Sequence, residues 1–98
     1  MLRYHKKYLP ITILFESFRL KPIRAIFRPH AYIDGASKYS CECQIDSPKK
    51  EIYKGDELVL KATLLSPVGF GEHLKIGTLL TLRDGVEVVG KAVVLEIN

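Results

Sequence analysis

The fold of this chain is decided by residues 55–67, which read Gly-Asp-Glu-Leu-Val-Leu-Lys-Ala-Thr-Leu-Leu-Ser-Pro, and by residues 77–97, which read Gly-Thr-Leu-Leu-Thr-Leu-Arg-Asp-Gly-Val-Glu-Val-Val-Gly-Lys-Ala-Val-Val-Leu-Glu-Ile. Alternation of apolar and polar residues in both stretches is the period of strands with one buried face. Asp84-Gly85 between two such runs is a strong signal for a β-hairpin. Gly90 interrupts the last run and predicts a bulge or corner.

The same alternation extends towards the N-terminus. Residues 11–20 and 37–45 each alternate, and a short extended segment at 30–33 ends at the turn pair Asp34-Gly35. Three of the predicted strands, at 11–20, 37–45 and 57–65, each have one apolar face. The residues of these faces are Ile11, Ile13, Phe15, Tyr39, Cys41, Cys43, Ile45, Leu58, Leu60, Ala62 and Leu64.

Proline and turn residues mark the ends of these segments. Pro22 cannot donate to a central ladder, so it should end the first strand, and residues 46–50 have the composition of a loop. Residues 1–10 have no clean period and are predicted to be a basic arm ahead of a single domain at 11–98. Six short strands without a convincing helix predict an all-β fold, a small six-stranded antiparallel closed barrel, with an open sandwich as the alternative.

The 98 residues are enough for one domain, and their charge is unevenly spread. Residues 1–38 hold eight Lys/Arg and two Asp/Glu, a net of +6, whereas residues 39–98 hold seven and nine, a net of −2. The excess positive charge is either a solvated surface or a patch that faces an anion. No stretch near the start is long enough for a secretion signal or a membrane span, and the two cysteines fit a reducing environment. We therefore expect a cytoplasmic protein.

Three motifs resemble one known barrel. Phe-Arg-Pro-His-Ala-Tyr occupies 27–32, Lys-Gly-Asp at 54–56 leads to Leu-Leu-Ser-Pro at 64–67, and Arg-Asp-Gly-Val-Glu-Val-Val-Gly-Lys-Ala-Val-Val occupies 83–94. In order and spacing they resemble the C-terminal, third β-barrel domain of elongation factor Tu and its archaeal and eukaryotic counterparts. The resemblance covers nearly the whole chain after the first ten residues.

The resemblance implies a role without catalysis. In that family the barrel packs against neighbouring domains, touches the T-stem backbone of aminoacyl-tRNA and meets the nucleotide-exchange partner. The tRNA-contacting positions of the family fall on His30, Tyr39, Asp84 and Gly85; here His30 replaces a glutamine and Tyr39 a threonine. No Gly-x-x-x-x-Gly-Lys-Ser/Thr loop occurs in the sequence, so no bound nucleotide is expected.

The residues with reactive side chains form no recognisable catalytic pattern. Cys41 and Cys43 share one strand face and supply two of the four ligands that zinc needs, so packing in the core is favoured over metal or redox chemistry. The three histidines are scattered, and only the pair Glu72-His73 in the glycine-rich connection stands out. We therefore expect neither an enzyme nor a cofactor.

Two kinds of partner follow from these observations. Val59 and Leu65 are apolar residues on the outer face of a strand, which favours a binding module that contacts another protein or a second copy of itself. Alternatively, basic and aromatic residues interleaved in the N-terminal third favour RNA of the tRNA type and a role in translation. The candidate contacts for RNA or a partner are Lys6, Lys7, Arg24, Arg28, His30, Tyr39, Asp84 and Gly85.

Overall fold

The protein is described by a computed structural model that covers residues 8–67 and 69–98. These residues form seven strands and a single turn of 3₁₀ helix at Gly71–His73. The strands are β1 (Tyr8–Ser17), β2 (Ile23–Phe27), β3 (His30–Ile33), β4 (Ala36–Ile52), β5 (Glu57–Leu65), β6 (Leu79–Asp84) and β7 (Glu87–Ile97).

Six of these strands close into a barrel. Their order is β4-β3-β6-β7-β1-β5, and a further pairing between β4 and β5 joins the two ends. All pairings are antiparallel. The predicted six-stranded antiparallel closed barrel is therefore confirmed. Closure leaves no free edge among the six strands, so their polar backbone groups are paired around the ring.

The barrel interior is filled by the inward face of each strand. Ile11, Ile13 and Phe15 are buried as predicted, as are Leu60 and Leu64 on the neighbouring strand. Each buried side chain of this size stabilises the fold by about 1.5–3 kcal/mol relative to its exposed state. Among the described residues, the only buried side chain that is polar belongs to Ser17.

The prediction of a loop at 46–50 was wrong, because β4 continues through it to Ile52. The segment after Pro22, which we did not predict as a strand, pairs with this part of β4 as β2. The register shifts between Arg24 and Ile26, so β4 carries extra residues around Pro48 there. A bulge of this kind accommodates a proline without the loss of a ladder hydrogen bond.

Strand β1 begins at Tyr8, three residues earlier than the alternation indicated. Leu9 is fully buried, so the first residues of β1 are part of the barrel. The carbonyl of Pro10 points to the β7 side, where it accepts a hydrogen bond from the N–H of Asn98. Because the N–H and C=O of a strand residue point to the same neighbouring strand, the N–H that proline lacks would also point to β7. The last register pair between β1 and β7 is Ile11 with Ile97, so Pro10 lies beyond the end of that ladder and is tolerated there.

The hairpin and the corner predicted at Gly90 are both present. Asp84 ends β6 and Glu87 starts β7, and Gly85 adopts a φ of 63° in the turn between them. The register between β6 and β7 shifts next to the Leu82–Gly90 pair, which places a bulge there. Gly90 itself is buried against Phe15 and the backbone of Glu16.

Candidate interaction surfaces

An apolar row crosses the outside of the barrel on four adjacent strands. Val59 on β5 lies opposite Leu14 on β1, Leu14 lies opposite Val93 on β7, and Val93 lies opposite Leu79 on β6. Val59 and Leu79 are 58% and 52% exposed, and the two central residues are half-buried. We call these four residues the apolar band. Strand spacing makes it about 14 Å long between its end residues.

The apolar band has charged residues on one side, which we call the upper row. It consists of Glu57, Glu16 and Lys91, again in direct register on β5, β1 and β7. Glu16 and Glu57 are directly opposite each other, and like charges in that arrangement destabilise a sheet. A shallow depression of about 190 Å³ lies between this row and the band, lined in part by Leu14, Leu79 and Val93.

The other side of the apolar band, the lower row, has a different charge pattern. Lys61 on β5 lies opposite Thr12 on β1, and Thr12 lies opposite Glu96 on β7. A bulge between Thr12 and Ile13 aligns Glu96, rather than the preceding residue, with Thr12. None of the charged residues of the two rows forms an ion pair with another described residue. Both rows therefore present unpaired charge beside an apolar surface.

A second surface, basic and aromatic, lies on β3 and β6. The guanidinium carbon of Arg83 stands 5.4 Å from the centre of the Tyr32 ring, a cation–π contact. His30 lies opposite Arg83 in the ladder, and its ring centre is 6.1 Å from that of Tyr32. Exposed Arg28 precedes β3 by two residues. We call these four residues the basic–aromatic cluster.

The basic residues that the sequence singled out are separated on the barrel. Lys6 and Lys7 lie outside the described residues. Arg24 is exposed on β2, opposite Glu51 of β4, and lines a groove with Lys50. Arg28 lines another groove beside Gln44 and Thr63.

Several predicted contact residues have neighbours within the chain. The carboxylate of Asp84 forms an ion pair with the guanidinium of Arg19 at 3.5 Å, and the carboxylate of Glu87 lies 3.6 Å from the same guanidinium. His30 lies opposite Glu42 of β4 as well as Arg83. Carboxylates therefore offset the charge of Arg19, and one also lies opposite each of Arg24 and His30.

Tyr39 and His73 are brought together although 33 other residues separate them in sequence. Their rings stack with centres 3.9 Å apart and planes 27° from parallel. Tyr39 is half-buried against the core, and His73 is exposed at the 3₁₀ turn. The contact fixes the glycine-rich connection to the start of β4.

The two cysteines are buried free thiols, as the packing interpretation predicted. The Cys41 thiol donates to the carbonyl of Leu65 at 3.0 Å, and the Cys43 thiol donates to the carbonyl of Pro29 at 3.6 Å. Burial raises the pKa of Cys41 to about 11 and that of Cys43 to about 12. At neutral pH both are protonated, so neither is a nucleophile in the folded state.

Residues 8–67 and 69–98 contain no group of three or more His, Cys, Asp or Glu side chains placed to hold a metal ion. The same residues include no helix whose length and apolarity would let it cross a bilayer. A scan against protein-family models found no match, and a search of curated proteins found no relative. The protein class that the fold defines is therefore a small closed antiparallel β-barrel, and the surfaces above are its candidate sites.

The apolar band was only partly visible in the sequence. Val59 was recognised as an apolar residue on an outer face, whereas Leu14, Leu79 and Val93 were not singled out. Each of the three is an apolar residue at an outward position of an alternating strand, and this position is the signal for them in the sequence. Leu65, the other exception noted, is half-buried beside Arg28 and does not belong to the band.

Proposed function

We propose that this chain is a non-catalytic binding module that contacts protein through the apolar band. The observation that carries the proposal is the direct register of Val59, Leu14, Val93 and Leu79 across four strands. Two of these side chains are more than half exposed, so their contact with water is unfavourable until another surface covers them.

The filled interior supports a role without catalysis. Side chains from all six barrel strands occupy the centre, and the described ones among them are apolar, apart from Ser17. Small barrels of this kind have no internal cavity for a substrate, so binding must use the outer surface. The two buried, protonated thiols are compatible with a reducing cytoplasm, which we propose as the location.

We further propose that the barrel is related to the third domain of elongation factor Tu. The closed six-stranded architecture is compatible with the three sequence motifs that resemble that domain. In that family the barrel binds other domains and macromolecules through its outside and does no chemistry. A binding role for this chain agrees with that use of the fold.

Replacement of Val59 by lysine is expected to abolish partner binding. A lysine at this exposed position places a charge at one end of the apolar contact, while folding stability should change by less than about 0.5 kcal/mol. The measurement is affinity capture from an extract of the source cells with quantitative mass spectrometry. Wild type should retain a defined set of proteins at least tenfold more strongly than V59K.

The matched control is Val86→Lys. Val86 is 93% exposed in the β6–β7 turn, away from the band, so the same chemical change is made outside the proposed surface. V86K should capture what wild type captures. Equal capture by V59K, with both variants folded by circular dichroism, would reject the apolar band as the surface that binds the captured proteins.

RNA binding is the second candidate function, and the basic–aromatic cluster is the observation that favours it. Arg83 over Tyr32, with His30 beside them and Arg28 nearby, offers both cations for phosphate and rings for base stacking. Glu42, which lies opposite His30, weakens this surface for a polyanion. We therefore rank it below protein binding.

Salt dependence tests the RNA alternative. Fluorescence anisotropy with labelled tRNA should show binding that weakens steeply with salt, and the double variant R28A/R83A should reduce the logarithmic salt slope by about 2, one for each phosphate contact removed. Lys54→Ala, at an exposed turn away from the cluster, is the control. Absence of binding at low ionic strength, or an unchanged slope in the double variant, would reject this function.

A further inference from the structure

We infer that the partner of the apolar band is a second copy of this chain, related to the first by a two-fold axis that runs along the band. The inference rests on the proposed function and names the partner. It is carried by the charge patterns of the upper and lower rows, which are complementary to each other across the apolar band.

A two-fold axis along the band fixes which residues meet. Rotation by 180° about that axis keeps each strand position along the band and exchanges its two sides. The band of one copy therefore lies on the band of the other, and the upper row of each copy faces the lower row of its mate. Such an interface uses the same patch twice and closes as a dimer.

The rows lie on β5, β1 and β7, and on β5 and β7 the residues that face each other carry opposite charges. On β5, Glu57 of one copy meets Lys61 of the second copy. On β7, Lys91 of one copy meets Glu96 of the second copy. On β1, between them, Glu16 meets Thr12, whose hydroxyl can donate to the carboxylate.

Symmetry doubles this complementarity. Each of these contacts occurs twice, so four opposite-charge pairs surround a continuous apolar centre. The dimer also supplies positive charge, from Lys61 of the second copy, to Glu57, which lies directly opposite Glu16 and which no cation pairs within the described part of one chain. Within that chain, Lys91 lies opposite Glu16 without forming an ion pair.

The size of the surface sets the strength of association. Strand spacing and residue rise give the apolar band with its two rows about 350 Å² on each copy, against about 800 Å² in a standard interface. Leu95, 37% exposed beside Glu96, extends the apolar area slightly. The dimer is therefore expected to be weak and reversible, with a dissociation constant of roughly 100 μM, and to weaken in high salt.

Charge reversal tests the arrangement by sedimentation velocity from 10 μM to 1 mM. Wild type should dimerise, whereas E57K and K61E should each be at least tenfold weaker, because each places like charges face to face twice. Both substitutions are on exposed strand positions, and thermal melts close to that of wild type would show that the folds are intact.

An equimolar mixture of E57K and K61E is the decisive sample. In a heterodimer the two lysines of E57K meet the two glutamates of K61E, so association should return to the wild-type level. V86K should dimerise like wild type. A mixture as weak as its components, or a wild type that is monomeric at 1 mM, would overturn the inference.

The two proposals fail separately. A wild type that is monomeric at 1 mM, together with capture of another protein that V59K loses, would overturn the dimer and leave the binding role in place. Capture that V59K does not change, together with a wild type that is monomeric at 1 mM, would overturn the binding role of the band.

Discussion

A rise in pH from 8 to 10.5 is expected to lower the free energy of unfolding by roughly 4 kcal/mol through Cys41 and Cys43 alone. Burial raises their pKa values from 9.0 to about 11 and about 12. Above pH 9 the unfolded chain loses these two protons while the folded chain keeps them. Each thiol therefore costs about 1.4 kcal/mol of stability for every pH unit until its folded pKa is reached.

The measurement is urea unfolding at several pH values between 7 and 11, with the double variant C41A/C43A as the matched control. The variant is less stable at neutral pH because it leaves small cavities, but it has the same tyrosines and lysines as wild type. The stability of wild type should fall more steeply than that of the variant above pH 9. Parallel curves would mean that the thiols titrate alike in the folded and unfolded chain.

Replacement of Gly90 by alanine is expected to lower the free energy of unfolding by about 3 kcal/mol and the Tm by roughly 15 °C. A Cβ at this position would lie 2.4 Å from the carbonyl oxygen of Glu16 and 2.5 Å from Cε1 of Phe15. The carbonyl belongs to β1, which pairs with β7, and the Phe15 ring is fully buried. Neither neighbour can yield without displacement of the barrel wall.

Gly85→Ala is the matched control, because Gly85 is required for its backbone conformation and not for close packing. Gly85 has a φ of 63° in the hairpin turn, and a Cβ added there meets nothing within 4 Å. An alanine in that conformation costs about 1 kcal/mol, so G85A should be clearly more stable than G90A in thermal unfolding. Equal stability of the two variants would contradict the close approach at Gly90.

Most of the barrel was predictable because alternation reports which face of a strand is buried. The inward sets around Ile13, Cys41 and Leu60, the hairpin turn and the corner at Gly90 all followed from local pattern. The segments on either side of Pro22 and Pro48 did not. A proline argues against a central ladder, and only the pairing of β2 with β4 shows that a bulge accommodates Pro48.

The apolar band could not be predicted because it depends on strand order and register. Leu14, Val59, Leu79 and Val93 each read as one apolar residue on a polar face, which is common and carries little information. They form a row only because β5, β1, β7 and β6 are neighbours in that order. The cross-band charge pattern also needs the bulge that aligns Glu96 with Thr12. Local sequence does not encode either feature.

The most direct test of the central claim is a methyl NMR dilution series of the wild-type chain from 1 mM to 10 μM. If the apolar band is where copies of the barrel meet, the methyl shifts of Leu14, Val59, Leu79 and Val93 change with concentration. Those of Val86 and Ile26, which are exposed elsewhere, stay constant. Band methyls that do not move across this range, or shifts centred on Ile26 or Val86, would contradict the account.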